Sequence, residues 1–119
     1  MTKRFGAVIA LLVLVSALAG AGAADAASAR TSTKVVRIAA TDFKFRLTPR
    51  TVPAGRITFE IRNDGQAMHD FAIHGHTSKT ISPGGSTRLT LTLRRGSYPY
   101  RCTVDDHARL GMKGVLRVT

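Results

Sequence analysis

The feature that most constrains this chain is an alternation of apolar and polar residues that recurs from residue 35 onward. One run places Ile57, Phe59 and Ile61 between polar residues. Two other runs do the same with the apolar residues Phe43, Phe45, Leu47, Leu89, Leu91 and Leu93. A period of two is typical of strands with one buried face and one solvated face. No stretch after residue 35 carries a helical repeat, so the pattern predicts an all-β domain.

Turn-forming residues separate these runs. They form the clusters Pro53-Ala54-Gly55, Asn63-Asp64-Gly65, Ser82-Pro83-Gly84-Gly85 and Arg95-Gly96. Further strands are expected at residues 35–39, 70–74, 97–102 and 114–118. About seven to eight short strands at this spacing predict an antiparallel β-sandwich. In the strand at 97–102, the alternation directs the side chain of Cys102 between the two sheets.

The first 29 residues have the composition of a secretory signal peptide. Lys3 and Arg4 precede an apolar run over residues 7–19, and small residues that fit a cleavage site follow it. The alternative is an uncleaved membrane anchor, for which the apolar run is short. We therefore expect residues 1–29 to be removed and residues 30–119 to form one exported domain. That domain would be periplasmic or extracellular, and membrane-associated only if the N-terminal segment is retained.

The chain is strongly basic, with 18 lysines and arginines against 7 aspartates and glutamates and a net charge of +11 at pH 7. A positive field speeds association with acidic surfaces, so we expect acidic redox partner proteins or anionic membrane surfaces as partners. A solvated basic surface without a dedicated partner is the alternative. The sequence carries no recognisable nucleic-acid motif, so we expect no nucleic-acid partner. We expect the domain to be a monomer.

Cys102 is the only cysteine, so the chain cannot form an internal disulfide. His107 and Met112 follow it in one glycine-bearing loop, and His69 lies upstream. Each has an ordinary alternative: an inert core cysteine, a surface histidine or a core methionine. Together, however, a thiolate, two imidazoles and a thioether are the ligand set of a copper electron-transfer centre. The sequence therefore predicts one copper ion bound at these residues.

Two segments resemble the cupredoxins, the small blue copper proteins. The segment Met68-His69-Asp70-Phe71 matches the family's first histidine and the phenylalanine-bearing strand after it. The segment from Tyr100 to Met112 matches its Tyr-x-Cys strand end and the following loop. The resemblance covers residues 35–119 and implies a Greek-key sandwich. It also implies that His69 and His107 bind copper through imidazole nitrogen, Cys102 through thiolate and Met112 weakly through sulfur.

This resemblance implies a mononuclear type 1 copper protein that carries single electrons by Cu(II)/Cu(I) cycling and is not an enzyme. A multicopper oxidase or nitrite reductase needs more than the four histidines present, and a dinuclear copper centre needs a second cysteine. The alternative function is copper buffering or delivery. Proteins that hand copper on usually carry additional soft ligands, whereas Met68 and Met112 are the only methionines after residue 29. Electron transfer is therefore the favoured hypothesis.

Cupredoxins of this type often carry Pro-Gly immediately before the second histidine, whereas this chain has Asp105 and Asp106. Two carboxylates beside the metal would favour Cu(II) and lower the reduction potential. If both side chains point into water, their charge is screened and the effect is small. Hydrogen bonds from the backbone N–H groups of Val104 and Asp70 to the sulfur would also favour Cu(II).

Overall fold

The computed structural model of the chain describes residues 32–119, which contain nine β-strands and no helix. The strands are β1 (Lys34–Thr41), β2 (Lys44–Thr48), β3 (Thr51–Val52), β4 (Gly55–Asn63), β5 (Ala72–Ile73), β6 (His76–Thr77), β7 (Ser86–Leu93), β8 (Gly96–Arg101) and β9 (Lys113–Val118). Within this described range, no helix is long and apolar enough to cross a membrane. The predicted signal peptide, residues 1–29, lies outside the described residues.

The strands form two sheets that enclose one apolar core. The first sheet has the order β2-β1-β4-β7, and the second has the order β3-β9-β8-β5-β6. Phe59 of β4 and Leu116 of β9 are both fully buried, so the two sheets contribute inward faces to the same core. The predicted β-sandwich is confirmed. The described residues contain nine strands, whereas seven to eight were predicted. Three of the nine, β3, β5 and β6, are only two residues long.

The alternation in the sequence identifies the buried faces correctly. In β4, the side chains of Ile57, Phe59 and Ile61 face the core, while Arg56 and Arg62 are exposed. Leu91 and Leu93 are buried in β7, and Phe45 and Leu47 are buried in β2, also as predicted. These residues dominate the core and fix the strand register, because a one-residue slip would turn each apolar set toward water.

Two strand pairs are parallel, although the sequence predicted an antiparallel sandwich. They are β1 with β4 and β3 with β9. After the β1–β2 hairpin, the chain crosses to the second sheet at β3 and returns to the first sheet as β4. This crossover lets β4 run beside β1 in the same direction, as parallel neighbours require. The period-two pattern carries no information on strand direction, so this feature could not be predicted from it.

An aromatic cluster packs around Phe71, the residue directly before β5. The ring centroid of Phe71 lies 5.3 Å from that of Phe45 and 5.4 Å from those of Phe59 and Tyr100. Such pairs contribute about 0.5 to 1.5 kcal/mol each beyond the burial of their area. The strand predicted at 70–74 is reduced to β5, because His74 adopts a φ of 49° and starts the turn into β6.

Candidate metal centre

Three of the four predicted ligands meet at one end of the sandwich. Nδ1 of His69 lies 3.2 Å from Nδ1 of His107, which lies 3.6 Å from Sγ of Cys102. The three ligand atoms all lie within 4.8 Å of one another, and all three residues are buried. Within residues 32–119, this is the only group of histidine, cysteine or acidic side chains arranged to hold a metal ion.

The backbone and one ring nitrogen hold His69 in place. Its backbone exchanges two hydrogen bonds with that of Ile81, at N–O distances of 2.7 and 3.2 Å. Nε2 lies 2.7 Å from Oδ1 of Asp42. A carboxylate can only accept a hydrogen bond, so Nε2 carries the proton and Nδ1 keeps its lone pair. The free lone pair therefore belongs to the nitrogen that faces His107.

Asp42 is the residue that orients the His69 ring. It lies in the turn between β1 and β2, and its carboxylate also accepts the backbone N–H groups of Gln66 and Ala67 at 2.8 and 3.2 Å. The bond from Gln66 is the main cause of a pKa below the ordinary aspartate value, with contributions from His69 and Ala67, while burial acts in the opposite direction. The carboxylate is therefore ionised at neutral pH. A carboxylate on the outer nitrogen of a ligating histidine fixes the ring and raises its basicity.

Phe43 covers the two histidines from the same turn. Its ring centroid lies 4.6 Å from that of His107 and 6.2 Å from that of His69, and it meets the His69 ring edge-on. The turn between β1 and β2 thus supplies both a hydrogen-bond acceptor and an apolar cover. This cover helps to exclude water from the nitrogen atoms of the site.

The Cys102 thiol lies where β8 ends, inside the sandwich and 1% exposed, as the alternation predicted. Burial raises the pKa of this thiol, while the backbone N–H groups of Asp70 and Val104 act in the opposite direction. The Asp70 N–H donates to Sγ at 3.5 Å. In the absence of a metal ion the group is therefore a neutral thiol at pH 7, and the N–H groups are placed to stabilise the thiolate that a metal requires.

The side chain of Asp70 joins the two segments that carry His69 and Cys102. It is 5% exposed and accepts the backbone N–H of Thr103 at 2.6 Å together with the Thr103 hydroxyl. Asp70 directly follows His69, and Thr103 directly follows Cys102. These bonds therefore fix the distance between the first histidine and the thiol.

The loop between β8 and β9 places the second histidine. The His107 N–H donates to the Val104 carbonyl at 3.1 Å, which closes a tight turn over the two intervening aspartates. Asp105 has a φ of 42°, a left-handed conformation that aspartate tolerates better than most residues. Asp105 and Asp106 are both exposed. Solvent screening should therefore weaken the effect of their charges on the site.

Met112, the fourth predicted ligand, is fully buried beside the other residues of the site. Its N–H donates to the His107 carbonyl at 3.1 Å, and its carbonyl accepts the Cys102 N–H at 3.0 Å. The backbone of Met112 is thus bonded to two of the residues that form the cluster. Its role as a weak ligand stays a prediction.

The spacing and chemistry of the cluster fit one copper ion. Imidazole nitrogens bind metals at about 2.0 Å and thiolates at about 2.3 Å, so ligand atoms that share an ion lie roughly 3.3 to 3.7 Å apart. The two distances measured at His107 Nδ1, 3.2 and 3.6 Å, agree with this spacing. A thiolate with two imidazoles is a ligand set that suits copper in electron-transfer sites.

Comparison with known families identifies the domain. Residues 7–118 match the model of the cupredoxin-like domain. The chain belongs to the cupredoxin family. The resemblance seen in the sequence is therefore confirmed, and the sandwich of this cupredoxin is the one that the resemblance implied. A search of curated proteins found no match to the chain.

Several solved structures are similar to this cupredoxin. Dithionite-reduced auracyanin from Roseiflexus castenholzii has 25% sequence identity and a TM-score of 0.60, over 76% of this chain and 99% of that chain. Auracyanin A, a "blue" copper protein from Chloroflexus aurantiacus, has 20% identity and a TM-score of 0.63, over 74% and 100%. A multicopper oxidase has 18% identity and a TM-score of 0.57, over 72% of this chain but 42% of that chain. The last two similarities concern the fold alone.

Sequence reasoning did not identify Asp42 or Phe43 as parts of the site. Phe43 was assigned to the buried side of a strand, and Asp42 carried no motif. Asp42 lies 27 positions before His69 in the sequence. Only the pairing of β1 with β4 brings the β1–β2 turn to the same end of the sandwich as His69, so no short-range signal could have found either residue.

Proposed function

We propose that this protein is an exported mononuclear type 1 copper protein that carries single electrons by Cu(II)/Cu(I) cycling. One observation carries the proposal: two imidazole nitrogens and one thiol sulfur, all buried, lie within 4.8 Å of one another, and both distances from Nδ1 of His107 match those of ligands that share an ion. His69, Cys102 and His107 would hold the copper, with Met112 as a weak fourth ligand. The copper would supply the exchange of one electron.

The surroundings of the ligands favour electron transfer over catalysis of a reaction on a substrate. Asp42, Asp70 and the Met112 backbone connect the ligand-bearing segments by hydrogen bonds. Rigid support of this kind holds the ligands in one geometry in both oxidation states. The ligand atoms are buried, and the ring of Phe43 covers the histidines, which leaves little access for a substrate. We therefore propose no enzymatic activity.

The rim of the site offers a place where an electron could enter or leave. His107 is 6% exposed, and the neighbouring loops carry the exposed apolar side chains of Met68 and Leu110, at 42% and 60%. Exposed apolar residues around a redox centre are suited to transient contact with another protein. We propose that this rim contacts the redox partner, that the protein acts as a monomer, and that it works outside the cytoplasm.

The first test adds Cu(II) to the purified protein and records its visible absorption and its electron paramagnetic resonance spectrum. We expect an intense sulfur-to-copper charge-transfer band at one copper per chain. A Cys102→Ser variant should lose the band, because an alcohol does not replace the thiolate as a soft ligand. A colourless wild-type protein, or a colour that survives this substitution, would contradict the proposal.

Electron transfer and copper delivery can be separated with the same sample. A carrier keeps its copper while it is reduced and reoxidised, because only the electron leaves. A delivery protein loses the ion to an acceptor. Repeated cycles with ascorbate and ferricyanide, followed by a copper assay after desalting, should return one copper per chain. Loss of copper on each reduction would favour delivery.

The copper affinity should depend on pH through the thiol. Because the pKa of Cys102 is raised, Cu(II) binding at neutral pH must displace the thiol proton. The apparent affinity should therefore rise by about tenfold for each unit of pH until the pH reaches that pKa. Competition with a chelator at several pH values measures this slope, and Cys102→Ser should show a smaller one. Equal slopes for the two proteins would show that the thiol does not bind the metal.

A further inference from the structure

The outer face of the five-stranded sheet carries two cations that the copper site does not use. Arg101 of β8 and Lys113 of β9 are directly opposite each other in antiparallel register, and both are exposed. Like charges in this arrangement destabilise a sheet. Neither residue takes part in any of the ion pairs found within residues 32–119.

Several arginines of the four-stranded sheet lie beside carboxylates. On the outer face of the four-stranded sheet, Glu60 lies 3.7 Å from Arg37 and 3.3 Å from Arg88. Arg62 is paired with Asp64 at 2.7 Å. Three arginines of that sheet thus have carboxylate partners. Arg101 and Lys113, in contrast, face each other with no carboxylate at ion-pair distance among the residues that the structure describes.

The two cations line a groove with a volume of about 750 Å³. Its lining includes the apolar side chains of Ala72, Pro99 and Val115, and Val115 is 60% exposed. No aspartate or glutamate is among the residues that line it. The groove therefore combines an apolar floor with uncompensated positive charge.

We propose that this groove docks an acidic segment of a protein redox partner. Carboxylates of that segment would pair with Arg101 and Lys113, and an apolar side chain would cover Val115. The inference rests on the proposed electron-transfer function, since it names the chemistry of the partner. A concave groove with an apolar floor fits a polypeptide segment better than it fits a flat lipid surface.

The position of the groove makes it useful for electron transfer. Arg101 directly precedes Cys102, and Thr103, which follows Cys102, also lines the groove. A segment bound there would lie against the strand that carries the thiolate. The bound segment would hold the partner close to the copper site and leave the apolar rim at Met68 and Leu110 free to contact the rest of the partner.

A titration with hexaglutamate peptide tests the groove directly. The peptide is added to the metal-free protein at low salt, and backbone amide shifts are followed by nuclear magnetic resonance. We expect shifts at Ala72, Thr77 and Val115, and a loss of about fivefold or more in affinity when Arg101→Gln and Lys113→Gln are combined. The matched control combines Arg94→Gln and Arg95→Gln, which removes the same charge at the other end of β8 and should change the affinity by less than about twofold.

Three results would overturn the proposal. Equal losses of hexaglutamate affinity in the two double variants would mean that binding depends only on the total charge of the protein. Binding of phosphatidylglycerol vesicles, but not of hexaglutamate, through these two cations would assign the groove to a membrane. A lower melting temperature for the Arg101→Gln, Lys113→Gln variant would show that the two side chains stabilise the sheet. Because the titration needs no copper, its failure is distinct from failure of the proposed copper function.

Discussion

An Asp42→Ala variant should lose about ten- to a hundredfold of the copper affinity of the site, although Asp42 is not one of the proposed ligands. The substitution removes the acceptor of the His69 Nε2–H, and His69 is fully buried. With no acceptor, the proton can move to Nδ1, the nitrogen that the metal needs. The same change also leaves the N–H groups of Gln66 and Ala67 without their carboxylate.

Competition with a chelator gives the affinity, and the nitrogen chemical shifts of His69 in the metal-free protein give its tautomer. Asp42→Asn keeps an acceptor oxygen and should show an intermediate loss. Asp64→Ala is the matched control, because Asp64 forms an ion pair with Arg62 at the surface and does not touch His69. If Asp42→Ala and Asp64→Ala bound copper equally well, Asp42 would not position the ligand.

An Asp70→Asn variant should raise the reduction potential of the copper site. Asp70 is only 5% exposed, so solvent screens the negative charge of its carboxylate poorly. Asp70 is also close to the copper ligands, because its backbone N–H donates to the Cys102 sulfur. Removing the charge should shift the equilibrium constant between Cu(II) and Cu(I) toward Cu(I) by about tenfold or more. For a one-electron couple this corresponds to a rise in potential of about 59 mV. Asparagine keeps an oxygen for the Thr103 N–H, so the strands stay joined.

The exposed aspartates of the loop supply the control for this prediction. Combining Asp105→Asn with Asp106→Asn removes two charges instead of one, but both residues are solvated. Screening should limit the resulting rise in potential to less than that of the single buried substitution. Voltammetry at constant ionic strength compares the two. A larger rise in the loop variant would mean that distance to the metal, and not burial, decides the effect.

The sequence was sufficient for the parts of the fold that depend on side-chain burial. The alternation around Phe59 and Leu91 identified strands and their inward faces, because the side-chain period of a strand appears directly in the order of residues. The position of Cys102 between the sheets followed from the same rule. The clustering of His69, Cys102 and His107 followed from a motif whose residues lie near strand ends.

Features that depend on the assembly of distant segments could not be predicted from the sequence patterns. Asp42 and Phe43 reach the site only because β1 lies beside β4, and strand order is not encoded in any local pattern. The side-chain bonds of Asp70 to Thr103 depend on the same three-dimensional arrangement. The parallel pairing of β1 with β4 and of β3 with β9 could not be predicted for the same reason.

The position of β9 also determines when the domain can fold. This strand spans Lys113–Val118 and lies between β3 and β8, so the five-stranded sheet is incomplete until residues 113–118 are available. Pairing β3 with β9 joins residues 51 and 117, and contacts between residues so far apart in the sequence slow folding. A chain that emerges residue by residue, from a ribosome or through a membrane pore, would therefore remain unfolded until β9 has emerged. The copper ligands, which span residues 69–112, would come together only at that late stage.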